Sequence, residues 1–189
     1  TGHKGKTAIE ATCIGSAAHS ALAPQAVNAI HLACDLISQI RHLQDDIAFN
    51  GAQDTAYDIP YTTLHAGLVT GGLALNIVPD HAVVTFEIRN LTTDNPDKIL
   101  DRLRGAIAPI IDVARQRAPD ADIAFSVINT YPGLETPRDD AVVEMLAGLT
   151  GNDQRIKVAF GTEGGLFSQK LRIPVVVCGP GSMAQGHKA

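Results

Sequence analysis

Seven histidines stand at positions 3, 19, 31, 42, 65, 81 and 187. A zinc site needs three or four protein ligands, and no spacing among these histidines and the carboxylates supplies such a set. HExxH, CxxC and GxSxG runs are absent, which argues in turn against zincin, dithiol-redox and α/β-hydrolase chemistry. Gly5-Lys6-Thr7 looks like the end of a phosphate loop, but a strand pattern follows where that motif needs a helix. His31, His42 and His65 fall on a predicted helix or strand and read as structural or solvated. His19 differs, because Gly15-Ser-Ala-Ala-His-Ser-Ala-Leu-Ala-Pro24 is a loop of small residues able to approach another backbone or a ligand. Gly161-Thr-Glu-Gly-Gly165 lies between a predicted strand and a predicted helix, where free amides and the helix dipole can hold an anion. Taken alone, it also reads as a glycine turn chosen for backbone freedom. Gly179-Pro-Gly-Ser-Met-Ala-Gln-Gly-His187 follows the next predicted strand, so both loops leave one carboxyl edge of an α/β sheet, the usual place for a ligand.

The elements that must position these residues show in the hydrophobic periods. Lys6 to Ile14 is β-branched and unbroken, which predicts a strand. Val27, Ile30, Cys34, Ile37 and Ile40 recur three and four apart and predict the buried face of a helix ending before Asn50-Gly51. A strand from about Thr62 to Val69 leads to Gly71-Gly72, where a turn or bulge is expected. From Ala82 to Asn90, Val84, Phe86 and Ile88 alternate with polar residues, so Arg89 points away from the helix-covered core. Asn95-Pro96 is an N-cap followed by proline at the first helical position, and Ile99, Leu103, Ile107, Ile110 and Ala114 continue a helical face. Pro109 inside that face predicts a kink or break. Ile123 to Thr130 is a fourth strand with Ile123, Phe125 and Val127 inward.

This β-α-β-β-α-β order predicts an α+β, ferredoxin-like sandwich over residues 1–131, with four antiparallel strands and two helices on one face. Residues 132–189 change texture: a helix (Asp139 to Leu149), a strand (Ile156 to Phe160), a short helix (about Gly164 to Lys170) and an apolar strand (Ile173 to Cys178) read as part of an α/β layer. The chain of 189 residues carries a formal charge of −5, 45% hydrophobic residues, 4% aromatics and no Trp. That composition buries an aliphatic core and offers neither a cationic field nor stacking rings to nucleic acid, nor a basic face to a membrane. Cys13, Cys34 and Cys178 form no close pair, which points to a reducing, cytoplasmic setting. Thr1 is not an initiator methionine, which points to a chain that begins mid-protein.

Taken in order, five motifs carry a resemblance: Gly15 to Pro24 with Asn28-Ala29-Ile30; Asn76-Ile-Val-Pro-Asp80; Phe86-Glu-Ile-Arg89; Gly161-Thr-Glu-Gly-Gly165; and Gly179-Pro-Gly-Ser182 with Gln185 and His187. Together they resemble the di-zinc amidohydrolase and peptidase family of acetylornithine deacetylase, succinyl-diaminopimelate desuccinylase and the aminoacylases, and the ending is most similar to the acetylornithine deacetylase branch. The resemblance implies a lid and dimerisation domain (1–131) followed by a partial return to a catalytic α/β domain (132–189). It implies His187 as a ligand of one of two zincs, and His19 as a lid histidine reaching into the partner subunit's site to polarise the scissile carbonyl, with Asn76 in support. Arg89 and Gly161-Thr162 are implied to hold the substrate α-carboxylate, a task suited to a guanidinium that donates two parallel hydrogen bonds. Glu163 stands where relatives vary, and no role is assigned to it.

The implied reaction is deacylation of an N-acyl amino acid in a homodimer, N-acetylornithine giving ornithine and acetate for arginine biosynthesis. Another acyl-amino-acid hydrolase or a dipeptidase is the alternative within the family, and a non-catalytic dimerisation module the alternative outside it. The remaining zinc ligands and the general-base glutamate have no counterpart in this sequence. The chain is therefore expected to be part of an enzyme, inactive alone and unable to retain the zincs.

Overall fold

The computed structural model describes residues 1–179, so the expectations for Ser182, Gln185 and His187 lie outside the described residues. In chain order the elements are β1 (Gly2–His3), β2 (Lys6–Ile14), β3 (Ala18–His19), a 3-10 turn (Ser20–Gln25), α1 (Ala29–Asn50), β4 (Thr63–Gly71), β5 (Ile77–Val78) and β6 (His81–Arg89). They continue with α2 (Pro96–Arg115), β7 (Asp122–Tyr131), β8 (Leu134–Glu135), α3 (Ala141–Thr150), β9 (Lys157–Val158) and α4 (Gly164–Leu171).

The four long strands pair antiparallel in the order β4-β6-β2-β7, the arrangement of the expected ferredoxin-like sandwich. Strict alternation explains which face the helices cover. Ile9, Ala11 and Cys13 of β2 and Ala82, Val84, Phe86 and Ile88 of β6 are all buried against α1 and α2, with Phe86 meeting Phe125 of β7 edge-on at 6.0 Å between ring centroids. Both helices start where side-chain caps satisfy their first amides. Asn28 Oδ1 accepts from the Ile30 and His31 amides at 2.8 and 3.3 Å, and Asn95 Oδ1 from the Asp97 amide at 2.8 Å, with Pro96 at the first helical position.

Several expectations need correction. The buried face of α1 is Ala29, Leu32, Ala33, Leu36, Ile40, Leu43 and Ile47, while Cys34 is exposed and Ile30 and Ile37 only border the core. The helix also continues through Asn50. Pro109 does not break α2, which runs unbroken from Pro96 to Arg115. Pro109 and Gly105 both lie on its exposed side, where water reaches the carbonyl that loses its donor. Val127 lies opposite Ile9 in register, but β7 is an edge strand and leaves Val127 49% exposed. Ile173 to Cys178 forms no strand; it runs alongside without a ladder, with Val175 O accepting from the Thr136 hydroxyl.

The return segment organises around residues that gave no pattern of their own. β1 lies between β8 and β9, antiparallel to the first and parallel to the second, so Gly2–His3 joins Leu134–Glu135 and Lys157–Val158 in one small sheet. The connection between α1 and β4 is fastened to this sheet through buried cations. Lys157 Nζ pairs with Asp54 at 2.7 Å and Glu135 at 2.5 Å, and the ammonium groups of Lys157 and Lys4 lie 5.4 and 5.6 Å from the Tyr57 ring centroid. Burial works against the Lys157 charge, but the two carboxylates outweigh it and hold its pKa above the ordinary value. The Asp54 pKa is held below its ordinary value, mainly by the Lys157 hydrogen bond.

Two outcomes follow for stability. Leu36→Ala, at a fully buried position, is expected to cost about 2–5 kcal/mol by urea unfolding, whereas Cys34→Ser is expected within about 0.5 kcal/mol of the parent; the reverse ranking would restore the sequence-derived face. A depressed carboxyl pKa contributes stability above its unfolded value that is lost as pH falls through the folded value. The stability gap between the parent and Asp54→Asn is therefore expected to be full at pH 6 and to close below about pH 4, measured as urea midpoints across that range.

Candidate functional site

The last turn of the sheet at β6 carries the strongest grouping of charge on the open, helix-free face. Glu87 and Arg89 are two residues apart and so share that face, and each side chain is about a quarter exposed, at 28% and 25%. Arg89 donates from Nε to Glu87 Oε1 at 2.8 Å and from Nη2 to Glu87 Oε2 at 3.2 Å, and from Nη1 to the Tyr131 hydroxyl at 2.9 Å. Lys6 on β2 brings Nζ to 3.7 Å from Glu87 Oε2, and His65 on β4 stands opposite Glu87 in register. Burial disfavours both charges, yet their pairing prevails: the Glu87 pKa is held below, and the Arg89 pKa above, its ordinary value.

Tyr131, the last residue of β7, joins this group to the return segment. A Cβ placed on Gly161 would stand 2.1 Å from Tyr131 Cε2 and 2.5 Å from its hydroxyl, so only glycine lets that backbone lie against the ring. Beside it, the Thr162 hydroxyl accepts from the Gly164 amide, the first of α4, at 3.1 Å, which leaves its own proton free to donate. Gly165 is buried because α4 approaches the chain closely there: a Cβ would meet Pro132 O at 2.4 Å. Close approach, rather than backbone freedom, is the reason for these glycines, since among described glycines only Gly72 and Gly151 have positive φ. Glu163 stands at the α4 N-cap position without a capping hydrogen bond, placing negative charge where an anion would otherwise be welcome.

His19 and Asn76 come together at the other end of the sheet. β3 pairs with β5 so that His19 opposes Ile77, and the Ser20 amide donates to Asn76 O at 2.9 Å. His19 is exposed, and its Nδ1 accepts from the Ala21 amide at 3.2 Å. The neutral ring then carries its proton on Nε2, as a donor. This flap leaves the sheet beside His81, where the Gly15 amide donates to Asp80 O at 2.7 Å. Arg89 ends the same strand eight residues later, about 27 Å along at an ordinary rise per residue. The structure thus gathers Arg89 with Gly161 and Thr162, gathers His19 with Asn76, and separates the two groups. His31, His42 and His65 are exposed, as expected of solvated residues. No three His, Cys, Asp or Glu among the described residues could hold a metal ion, so the described residues do not fit a zinc site by themselves. Glu87 and Lys6 were missed in the sequence, although the period of two in β6 places Glu87 beside Arg89; Tyr131 had no local signal, because its partners lie on other elements.

Residues 1–112 match the model of the M20 peptidase dimerisation domain, and the chain belongs to that family. It is 30% identical over 186 residues to an acetylornithine deacetylase of Photorhabdus laumondii and 31% identical over 186 residues to one of Salmonella arizonae. Each alignment covers 98% of this chain and 46% of the relative, so the chain spans about half the length of these relatives. Among solved structures, it superposes on a tripeptidase of Staphylococcus aureus with a TM-score of 0.64 at 22% identity, covering 92% of this chain and 42% of that one. An amidase of the hydantoinase/carbamoylase family from Burkholderia vietnamiensis gives 0.61 at 21% identity, covering 89% and 38%. These structural likenesses concern the fold.

The contact at Gly161 gives a direct test. Gly161→Ala is expected to push the Tyr131 ring aside and break its hydrogen bond to Arg89, seen as a shift of the Tyr131 ring resonances and a loss of protection at the Arg89 side-chain N–H groups. Unchanged ring resonances would show that the loop does not lie against Tyr131.

Proposed function

We propose that this chain supplies the dimerisation unit and an adjoining α/β segment of a zinc-dependent amidohydrolase that removes the acyl group from an N-acyl amino acid. N-acetylornithine, giving ornithine and acetate, is the substrate of first choice, supported by the similarity to acetylornithine deacetylases across nearly the whole chain. Lys6 to Tyr131 would form the dimerisation unit, while residues 1–4 hydrogen-bond to the segment that begins at 132 and belong with it structurally. His187 is the one residue proposed as a zinc ligand, and the reading needs further ligands that this chain does not carry.

One observation carries the proposal. The residues proposed to act on one substrate lie at opposite ends of one sheet, Arg89 with Gly161-Thr162 at one and His19 with Asn76 at the other. A site using both groups takes them from two chains. In this reading Arg89 and the Thr162 hydroxyl hold the substrate carboxylate in one subunit, and the partner's His19 donates Nε2–H to the acyl carbonyl oxygen as negative charge grows there. Asn76 keeps the β3–β5 flap in register beside that histidine. Entry of His19 on closure also excludes water from the reacting bond.

The test uses the complete enzyme. His19→Ala is expected to lower kcat by about 10²- to 10³-fold, the order for loss of one oxyanion donor, with zinc content unchanged. Mixing His19→Ala subunits with His187→Ala subunits is expected to restore about a quarter of wild-type activity, since random pairing gives half mixed dimers with one competent site each. Mixed dimers no more active than the separate variants would overturn the cross-subunit role. Wild-type turnover of N-acetylornithine at blank level would overturn the substrate, and turnover of other N-acyl amino acids or dipeptides would name the replacement.

A further inference from the structure

We infer that Glu87 and Tyr131 are positioning residues that hold the Arg89 guanidinium in one orientation, with two of its donors left for a carboxylate. The inference rests on the proposed role of Arg89 and assigns work to two residues around it. A guanidinium has five N–H donors in a fixed plane. Three are spent: Nε and one on Nη2 go to Glu87, and one on Nη1 goes to Tyr131. The two left over are on Nη1 and Nη2, one each, and a carboxylate has two oxygens to receive them.

The orientation is fixed from independent elements. Glu87 is on the same strand as Arg89, and Lys6 on the adjacent strand β2 holds the Glu87 carboxylate from the other side. Tyr131 is on β7, and its ring is held by the Gly161 backbone. Because that loop precedes α4, the tyrosine hydroxyl ties the sheet-borne guanidinium to the segment carrying Thr162, the other group proposed to meet the carboxylate. A free arginine side chain loses much rotamer freedom on gripping a ligand, whereas one already held by three hydrogen bonds has little left to lose.

Steady-state kinetics of the complete enzyme, with an N-acetyl amino acid and with its α-carboxamide, test the assignment. Tyr131→Phe keeps the ring against Gly161 and removes the hydroxyl alone. It is expected to raise KM for the carboxylate substrate about 3- to 10-fold, leaving kcat within about twofold and the carboxamide unaffected. Glu87→Ala is expected to raise the same KM about 10- to 100-fold, and Glu87→Gln, which keeps an acceptor for Nε, to recover part of the loss. Arg89→Lys separates the two readings. If it leaves the preference for carboxylate over carboxamide unchanged, the role of Arg89 itself fails and the inference with it. If it abolishes the preference while Tyr131→Phe and Glu87→Ala do not alter it, or lower kcat for both substrates alike, the positioning role alone is overturned. In the 189-residue chain, the Arg89 Nε–H is also expected to show slow solvent exchange that Glu87→Ala abolishes; fast exchange in the parent would equally overturn the inference.

Discussion

The register of β6 is the constraint on which everything else depends. The strand is hydrogen-bonded along its whole length to β4 on one side and β2 on the other, so it cannot move without breaking two ladders. A slip of one residue would turn Glu87 and Arg89 toward the helices and lift Phe86 and Ile88 out of the core. Burying those charges among aliphatic side chains would cost far more than the strand pairing returns. The hydrophobic pattern therefore selects the fold and, by the same alternation, places an arginine and a glutamate together on the open face.

How much of this could be read beforehand depended on the range of the interactions involved. The long strands, the cap at Asn95 and the orientation of Arg89 follow from neighbours a few residues away, and all were legible; the cap at Asn28 is as local but was not read. The face of α1 was misplaced because isoleucines at 30 and 37 fit the period as well as leucines at 32, 36 and 43; only the strands beneath decide which stripe is covered. The break allowed for at Pro109 does not occur, because its cost depends on whether the freed carbonyl can reach water. β1, β8 and β9 have two residues each, too few to show a period, and exist through partners more than a hundred residues distant from β1. Arg89 entered as a candidate through its motif, while Tyr131 beside it is visible only when β7 is laid beside β2 and the return loop.

The return loop stays near Arg89 because the chain crosses between the two sheets twice at one place. It leaves β1 through Lys4-Gly5 and leaves β7 through Pro132-Gly133, and the Gly5 amide donates to Asn90 O, one residue past Arg89, at 2.9 Å. A double crossing resists twisting better than a single linker, and Lys157, held by Asp54 and Glu135, adds a third tie through the connection before β4. The flap bearing His19 is held at its base, where the Gly15 amide donates to Asp80 O and the Ala29 amide to Pro79 O, but beyond that its strands are two residues long and Leu73 and Leu75 are almost fully exposed. Rigidity is concentrated at the Arg89 end, and freedom to meet another molecule at the His19 end.

That asymmetry suits the electrostatics of the arginine group. Lys6, Glu87 and Arg89 sum to one positive charge, so the neighbourhood attracts an anion even though Glu87 takes three of the bonds and contacts around it. Removing Glu87 would strengthen the local positive field but free the guanidinium to rotate; keeping it weakens the field and fixes the geometry. For a carboxylate, whose two oxygens must meet two donors in one plane, geometry is the scarcer requirement, because partly exposed charges are screened by water and salt while a misaligned fork forfeits a whole hydrogen bond. A lysine at position 89 would keep the field and lose the plane. The pairing of Arg89 with Glu87 thus works as a mount for the guanidinium, with Lys6 supplying the charge that the mount takes away.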